Sequence, residues 1–156
     1  MLDQKDIDKI KKATEEFFEK ITITANIEEA SFSAQESGDS VRLDIRLQEP
    51  QILIGQGGQT LFEIQRLLKM VLNKKLQKVF YLDLDINEYK KKKAEYLKNM
   101  AKELADQVAL TREEKPLLPM PSYERRIIHA ELSQRTDVIA ESQGDGIGRH
   151  IVIKPK

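Results

Sequence analysis

Ile52-Leu53-Ile54-Gly55-Gln56-Gly57-Gly58-Gln59-Thr60-Leu61 is the stretch on which the reading of this chain turns. Pro50 can begin a short helical turn through Ile54, and the glycines break it. From Gln59 to about Gln77 the apolar residues Leu61, Ile64, Leu68, Val71, Leu72 and Leu76 recur at helical spacing, which predicts a long helix with that stripe buried. The loop is therefore a G-x-x-G between two helical segments. Glycine at both ends permits a tight turn and lets another backbone approach where a side chain would block it. The free amides of the helix start favour an anion. A dinucleotide fingerprint would need G-x-G-x-x-G straight after a strand, and a P-loop would need four intervening residues before Gly-Lys-Ser/Thr; neither is present. Alone, such a loop is in most proteins a connector, so its flanks decide.

Before the loop, Ile7, Ile10, Phe17, Phe18 and Ile21 predict one amphipathic helix from Asp6 to about Lys20. Two extended stretches follow, roughly Thr22 to Ala34 and Ser40 to Leu47, turning at Ser37-Gly38-Asp39. The second alternates Val41, Leu43, Ile45 and Leu47 against Arg42, Asp44 and Arg46, as in a hairpin with one wet face. After the long helix, Val79 to Ile86 reads as a strand. A second unit begins near Asn87, a candidate N-cap, with a helix to about Ala109 striped by Tyr89, Leu97, Met100, Leu104 and Val108. Pro116, Pro119 and Pro121 are expected to end it. Tyr123 to Ser133 reads as a shorter helix, and Thr136 to Ser142 and His150 to Ile153 as two strands joined by Gly144-Asp145-Gly146-Ile147-Gly148. The boundary is abrupt, and no repeat or low-complexity linker marks it.

With 156 residues, 40% of them hydrophobic, the chain can hold one ordinary domain or two small ones. It has no cysteine, which excludes disulfides and thiolate metal sites and makes a reducing cytoplasm the expected compartment. The first residues, Met1-Leu2-Asp3-Gln4-Lys5, lead into no apolar segment. The longest uncharged run, Pro50 to Phe62, is too short and glycine-rich to span a bilayer. Basic and acidic residues number 26 each, so the chain is no generic polyanion binder. The charges are nevertheless sorted. Residues 1 to 40 carry five basic and ten acidic groups, whereas residues 41 to 80 carry seven and three, so the basic excess centres on the glycine loop and its helix.

In Tyr123-Glu124-Arg125-Arg126-Ile127-Ile128-His129, Arg125 and His129 stand four apart and share one helix face. The guanidinium offers a permanent planar cation to phosphate, and the imidazole a hydrogen bond or a flat surface for a base, a pairing suited to single strands. Arg126 points roughly 100° away. The run Lys90 to Lys93 covers more than a full turn and reads as a solvated helix start. Asp83 and Asp85 alternate on a strand and read as its exposed face, since the only histidines, His129 and His150, make a thin ligand set for a metal. No base-orienting partner or nucleophile stands at motif spacing from His129, so a hydrolase is not indicated, nor is a small-molecule substrate or a cofactor.

The order helix, strand, strand, helix, helix, strand, with G-x-x-G between the paired helices, resembles a type II KH domain, a module that holds about four nucleotides of single strand. That unit, followed by a helix, by Met120-Pro121-Ser122-Tyr123-Glu124-Arg125-Arg126-Ile127-Ile128-His129, and by Val138-Ile139-Ala140-Glu141-Ser142-Gln143-Gly144 leading to Arg149-His150-Ile151-Val152-Ile153, resembles the bacterial Jag family, also called KhpB. The resemblance covers nearly the whole chain. It implies an α+β protein with a type II KH-like domain over 1-86 and a small α+β R-3-H domain over 87-156. It further implies a non-enzymatic RNA-binding protein, an RNA chaperone or post-transcriptional regulator, with a small KH protein as partner and bacterial envelope growth or cell shape as context. The expected ligand is single-stranded RNA, with single-stranded DNA as the variant. Gly55, Gln56, Gly57 and Gly58 would form the backbone clamp, Ile52 and Ile54 would seat bases, and Arg66 and Lys69 would supply charge. Arg125, His129 and Arg149 would hold an adjoining segment.

Three departures mark this sequence. The separate N-terminal Jag domain and its linker are missing from it. The positions between the outer glycines, often basic in KH domains, are Gln56 and Gly57, which leaves phosphate attraction to backbone amides and neighbouring cations. The turn Asp145-Gly146-Ile147-Gly148 is looser than the family's, although Arg149 is in place. The competing reading is a protein-interaction adaptor in which the KH loop is vestigial and a sheet edge or the acidic first helix recruits another protein.

Overall fold

The computed structural model describes residues 2–35 and 38–156; Met1 and Ser37 of the expected turn lie outside that range. The chain divides into two compact units, Met1–Lys90 and Lys91–Lys156. The sequence reading put its boundary at 86 to 87. Both units are mixed α and β.

In the first unit, α1 (Gln4–Lys20) starts two residues before the expected Asp6, because Asp3 and Asp6 form a reciprocal capping box. Such a box stabilises a helix start by about 1 kcal/mol. β1 (Asn26–Gln35) and β2 (Gly38–Arg46) pair antiparallel, with a register shift between Ile27 and Glu29. Thr22 does not begin the strand: its φ of 62° turns the chain, and β1 starts only at Asn26. Gly38 and Asp39 pair with Gln35 and Ala34 inside the ladder, so both belong to the hairpin strand and not to its turn. α2 (Gln51–Ile54) and α3 (Gln59–Leu76) follow, and Gln77 closes α3 in the left-handed region. β3 (Tyr81–Ile86) pairs parallel to β2, giving a sheet ordered β1-β2-β3.

The pleat sends Val41, Leu43 and Ile45 of β2 and Leu82, Leu84 and Ile86 of β3 to one face, where they pack with Ile10, Phe18, Leu61, Leu68 and Leu72. Each such side chain contributes roughly 1.5 to 3 kcal/mol of burial. Val71 departs from the expected stripe of α3 and is exposed. The opposite face of the sheet is polar. Arg42 donates to both carboxylate oxygens of Asp44 and lies 3.8 Å from Asp83 and 3.9 Å from Asp85. Asp85 corrects the expectation of an exposed face, for it is buried, and its Oδ1 accepts from the amides of Ile86 and Lys90. A short polar strand end thus starts the next helix. The side chain of Asn87, the expected cap, is turned instead onto Leu47, donating to its carbonyl and accepting from its amide.

In the second unit, α4 (Tyr89–Thr111) buries Leu97, Ala101, Ala105 and Val108. It ends at Thr111, and Arg112, in the left-handed region with φ 59°, turns the chain ahead of the prolines expected to stop it. Pro116 belongs to β4 (Lys115–Pro116), a two-residue strand that the sequence pattern does not announce. α5 (Ser122–Leu132), β5 (Val138–Gln143) and β6 (His150–Pro155) complete the unit, with β6 between β4 and β5 in an antiparallel sheet. Ile128 and Leu132 of α5 pack with Val138, Ile151 and Ile153 of the sheet and with the small residues of α4. Arg135 grips Asp137 through two hydrogen bonds and reaches Asp106 on α4 with a third. Among the described residues, no helix is long and apolar enough to cross a membrane, and no cluster of three His, Asp or Glu could hold a metal ion.

Candidate nucleic-acid interface

The glycine loop is held from beneath. Gly55 has φ 70° and ψ −176°, a conformation open almost only to glycine, and a Cβ placed there would collide with the Thr60 side chain. At Gly58, φ is 82° and a Cβ would lie 2.7 Å from the ring of Tyr89. The two outer glycines of G-x-x-G are thus fixed by the protein's own packing. Gln56 and Gly57 are exposed, and nothing stands within 4 Å of a Cβ at Gly57. The amides of Gly55, Gly58 and Gln59 bond to the carbonyls of Gln51, Gly55 and Gln56. No side chain caps α3.

The residues expected to assist this loop are dispersed. Ile52 projects outward, 68% exposed, into a groove of about 700 Å³ shared with Thr22, Arg46 and Glu49. Ile54 packs against the core. Arg66 is exposed two turns along α3, roughly 12 Å beyond Gly58 at 1.5 Å per residue. Lys69, a turn further, sets its ammonium 4.8 Å above the Tyr81 ring at the start of β3. A cation that the sequence reading assigned to solvent lies nearer. Lys90 is only 19% exposed; it donates to Asp83 and Gln65 and lies 5.3 Å from the Phe62 ring, within the first turn of α3. Its placement follows from β3 running back along α3, which no local pattern discloses.

In the second unit, one bonded chain links two of the expected residues, Arg125 and Arg149. The Arg125 guanidinium donates through Nη1 to the Met120 carbonyl at 2.8 Å, and the Met120 amide donates to the Arg149 carbonyl at 3.2 Å. One turn along α5, His129 Nε2 lies 3.0 Å from Ser142 Oγ on β5. Arg125 and His129 are half-buried, Arg126 is exposed, and Arg149 stands exposed at the end of the turn Gly146–Gly148. Arg125 thus uses one of its five N–H donors in this internal hydrogen bond. His150 Nδ1 donates to the Gly148 carbonyl at 3.0 Å, which steadies the turn before β6. Sequence reading missed the Met120 backbone and Ser142, because both act through pairings between distant segments. It also passed over Ile147, which is fully exposed at the tip of the turn.

Residues 95–155 match the R-3-H domain model. The chain is 33% identical over 149 residues to RNA-binding protein KhpB of Clostridium symbiosum, covering 96% of this chain and 66% of that protein. It is 38% identical over 126 residues to RNA-binding protein KhpB of Bacillus subtilis, covering 80% and 61%, and 32% identical over 125 residues to the Streptococcus pneumoniae protein of that name, covering 80% and 38%. The chain therefore spans less than two thirds of the length of these curated relatives. The matches run through both compact units and not the R-3-H segment alone, and on that ground the chain belongs to the bacterial KhpB, or Jag, family.

Proposed function

We propose that this chain binds single-stranded RNA at two places without chemical turnover, as an RNA chaperone or post-transcriptional regulator. The first unit acts as a type II KH domain, a reading supported by its element order and by the sheet order β1-β2-β3 with β2 and β3 parallel. The observation that carries it is the loop Gly55 to Gly58: filled from beneath by Thr60 and Tyr89, open above at Gln56 and Gly57. A sugar-phosphate backbone lies against that open surface and takes hydrogen bonds from the amides of Gln56 and Gly57, with the α3 start adding its partial positive charge. Because neither residue carries charge, the grip is modest and indifferent to sequence. In the second unit, the free part of the Arg125 fork and the exposed Arg149 meet phosphates of an adjoining segment, and His129 adds a hydrogen bond or a stacking surface. Two weak sites on one chain raise each other's effective concentration.

Replacing Gln56 and Gly57 together by Asp sets two carboxylates where the phosphate would lie and leaves the core untouched. Fluorescence anisotropy with a single-stranded RNA library at low salt is expected to show about tenfold weaker binding or worse, from two like charges at contact distance. Unchanged binding would remove the clamp from this reading. Salt separates it from the adaptor alternative: RNA retention falls steeply as salt rises, whereas capture of a protein partner without RNA at high salt would favour the adaptor.

A further inference from the structure

Within the second unit, α4 and the segment from Pro116 to Met120 wall a groove of about 400 Å³, a volume typical of small-ligand clefts. Its walls are largely apolar, but two charged groups, Lys93 and Glu124, line it as well. Tyr96, also in the lining, keeps 61% of its surface exposed. The Glu124 side chain is the reverse case, only 6% exposed. Its Oε1 accepts from the Tyr123 hydroxyl at 2.9 Å and lies 3.9 Å from the Lys93 ammonium. The printed contacts of this groove-lining carboxylate engage Oε1. Met120, one of its walls, also accepts through its carbonyl from Arg125 and donates through its amide to the Arg149 carbonyl.

We propose that this groove is a base-recognition pocket for guanine, a specificity site that rests on the RNA-binding reading above. A phosphate gains little there, because the Glu124 carboxylate offsets the Lys93 ammonium. A cationic side chain gains little there, because Lys93 already balances Glu124. What remains complementary is a flat neutral ligand with paired N–H donors. Guanine alone among the RNA bases presents adjacent N1–H and N2–H donors on its Watson–Crick edge; adenine and cytosine offer an acceptor at the ring position, and uracil flanks its N–H with two carbonyls. The ring stacks on Tyr96, the donor pair meets the Glu124 carboxylate, and the attached phosphates run toward Arg125 and Arg149.

The test uses the full chain and single-stranded RNA 12-mers of uridine carrying one central G, A, C or inosine, read by anisotropy. The G strand is expected to bind roughly five- to a hundredfold more tightly than the A or C strand, the range of one bidentate base contact, with inosine between them because it lacks the 2-amino group. Glu124→Gln is expected to bring G and A within about twofold, and Tyr96→Ala to weaken the G strand by about tenfold, in line with one lost stacking contact. Thermal melting identifies a variant that has unfolded, and the inosine comparison needs no variant. Equal binding of all four strands leaves the RNA-binding reading standing and overturns the pocket; no RNA binding at any salt overturns both. An arginine-rich peptide that binds the wild type, fails with Glu124→Gln and shows no link to guanine would mark the groove as a protein-docking site and overturn the proposal.

Discussion

In the loop after α2, glycines serve the interior: Thr60 fills the space at Gly55 and the Tyr89 ring the space at Gly58. In the turn between β5 and β6, Gly146 and Gly148 have nothing within 4 Å of a Cβ, and Ile147 stands fully exposed at its tip. The neighbouring contacts differ accordingly. The first loop offers mainly main-chain amides, whereas the second turn ends on Arg149, joined through the Met120 backbone to Arg125 of α5. A site made of backbone tolerates truncation of its neighbours and fails when a Cβ is added; a site made of side chains does the opposite.

The largest effect expected from this contrast is on stability. Gly55→Ala must leave a glycine-only conformation and displace Thr60, so it is expected to cost roughly 2 to 5 kcal/mol, combining backbone strain with overpacking. Gly57→Ala has open space and a left-handed φ of 61°, for which about 1 to 2 kcal/mol is expected. Urea midpoints for the pair check the difference, and equal losses would mean that the loop is not packed from beneath. Next comes Arg125→Ala, which should weaken RNA binding fairly uniformly over sequences and lower the slope of log affinity against log salt by roughly 0.7, one single-strand phosphate contact. A loss confined to certain sequences would instead make Arg125 a reader of bases.

The smallest effect is in acid. The hydrogen bonds from Arg135 hold the Asp137 carboxyl down to about 2, from an ordinary value of 3.8. A carboxylate with a depressed folded value stabilises the fold above its ordinary value, and that contribution disappears as pH falls toward 2. Asp137 is 43% exposed, so solvent screening keeps the contribution small. Asp137→Asn is expected to flatten the loss of thermal stability between about pH 4 and pH 2; an unchanged acid limb would show that the ion pair is not maintained in solution.

How much of this could be read from the chain depends on whether the cause is local. The alternation of β2 and the stripes of α1 and α3 report one buried face each, and such patterns survive without knowledge of the partner. β4 is two residues long, includes a proline and exists only because β6 lies beside it. Asp85 looks like any polar residue of an alternating strand, yet a helix start five residues on buries it. Lys90 sits in a run of four lysines, and only the return of β3 along α3 separates it from the others. At the second candidate site, the Arg125 and His129 spacing is visible in the sequence, but Met120 contributes through its backbone, which leaves no mark on residue type. Glu124 looks like any acidic residue of a helix start, and its burial beside the proline segment shows only in the fold.

The parallel pairing of β2 with β3 also has a kinetic side. Ser40 meets Tyr81 only after the whole α2, loop and α3 crossover has been made, and antiparallel hairpins such as β1-β2 close long before such contacts. Tyr89, which backs Gly58, comes later still in the chain. A nascent polypeptide stalled before Tyr81 therefore carries the complete G-x-x-G sequence without its geometry, and the loop acquires its shape in the same cooperative step that completes the sheet.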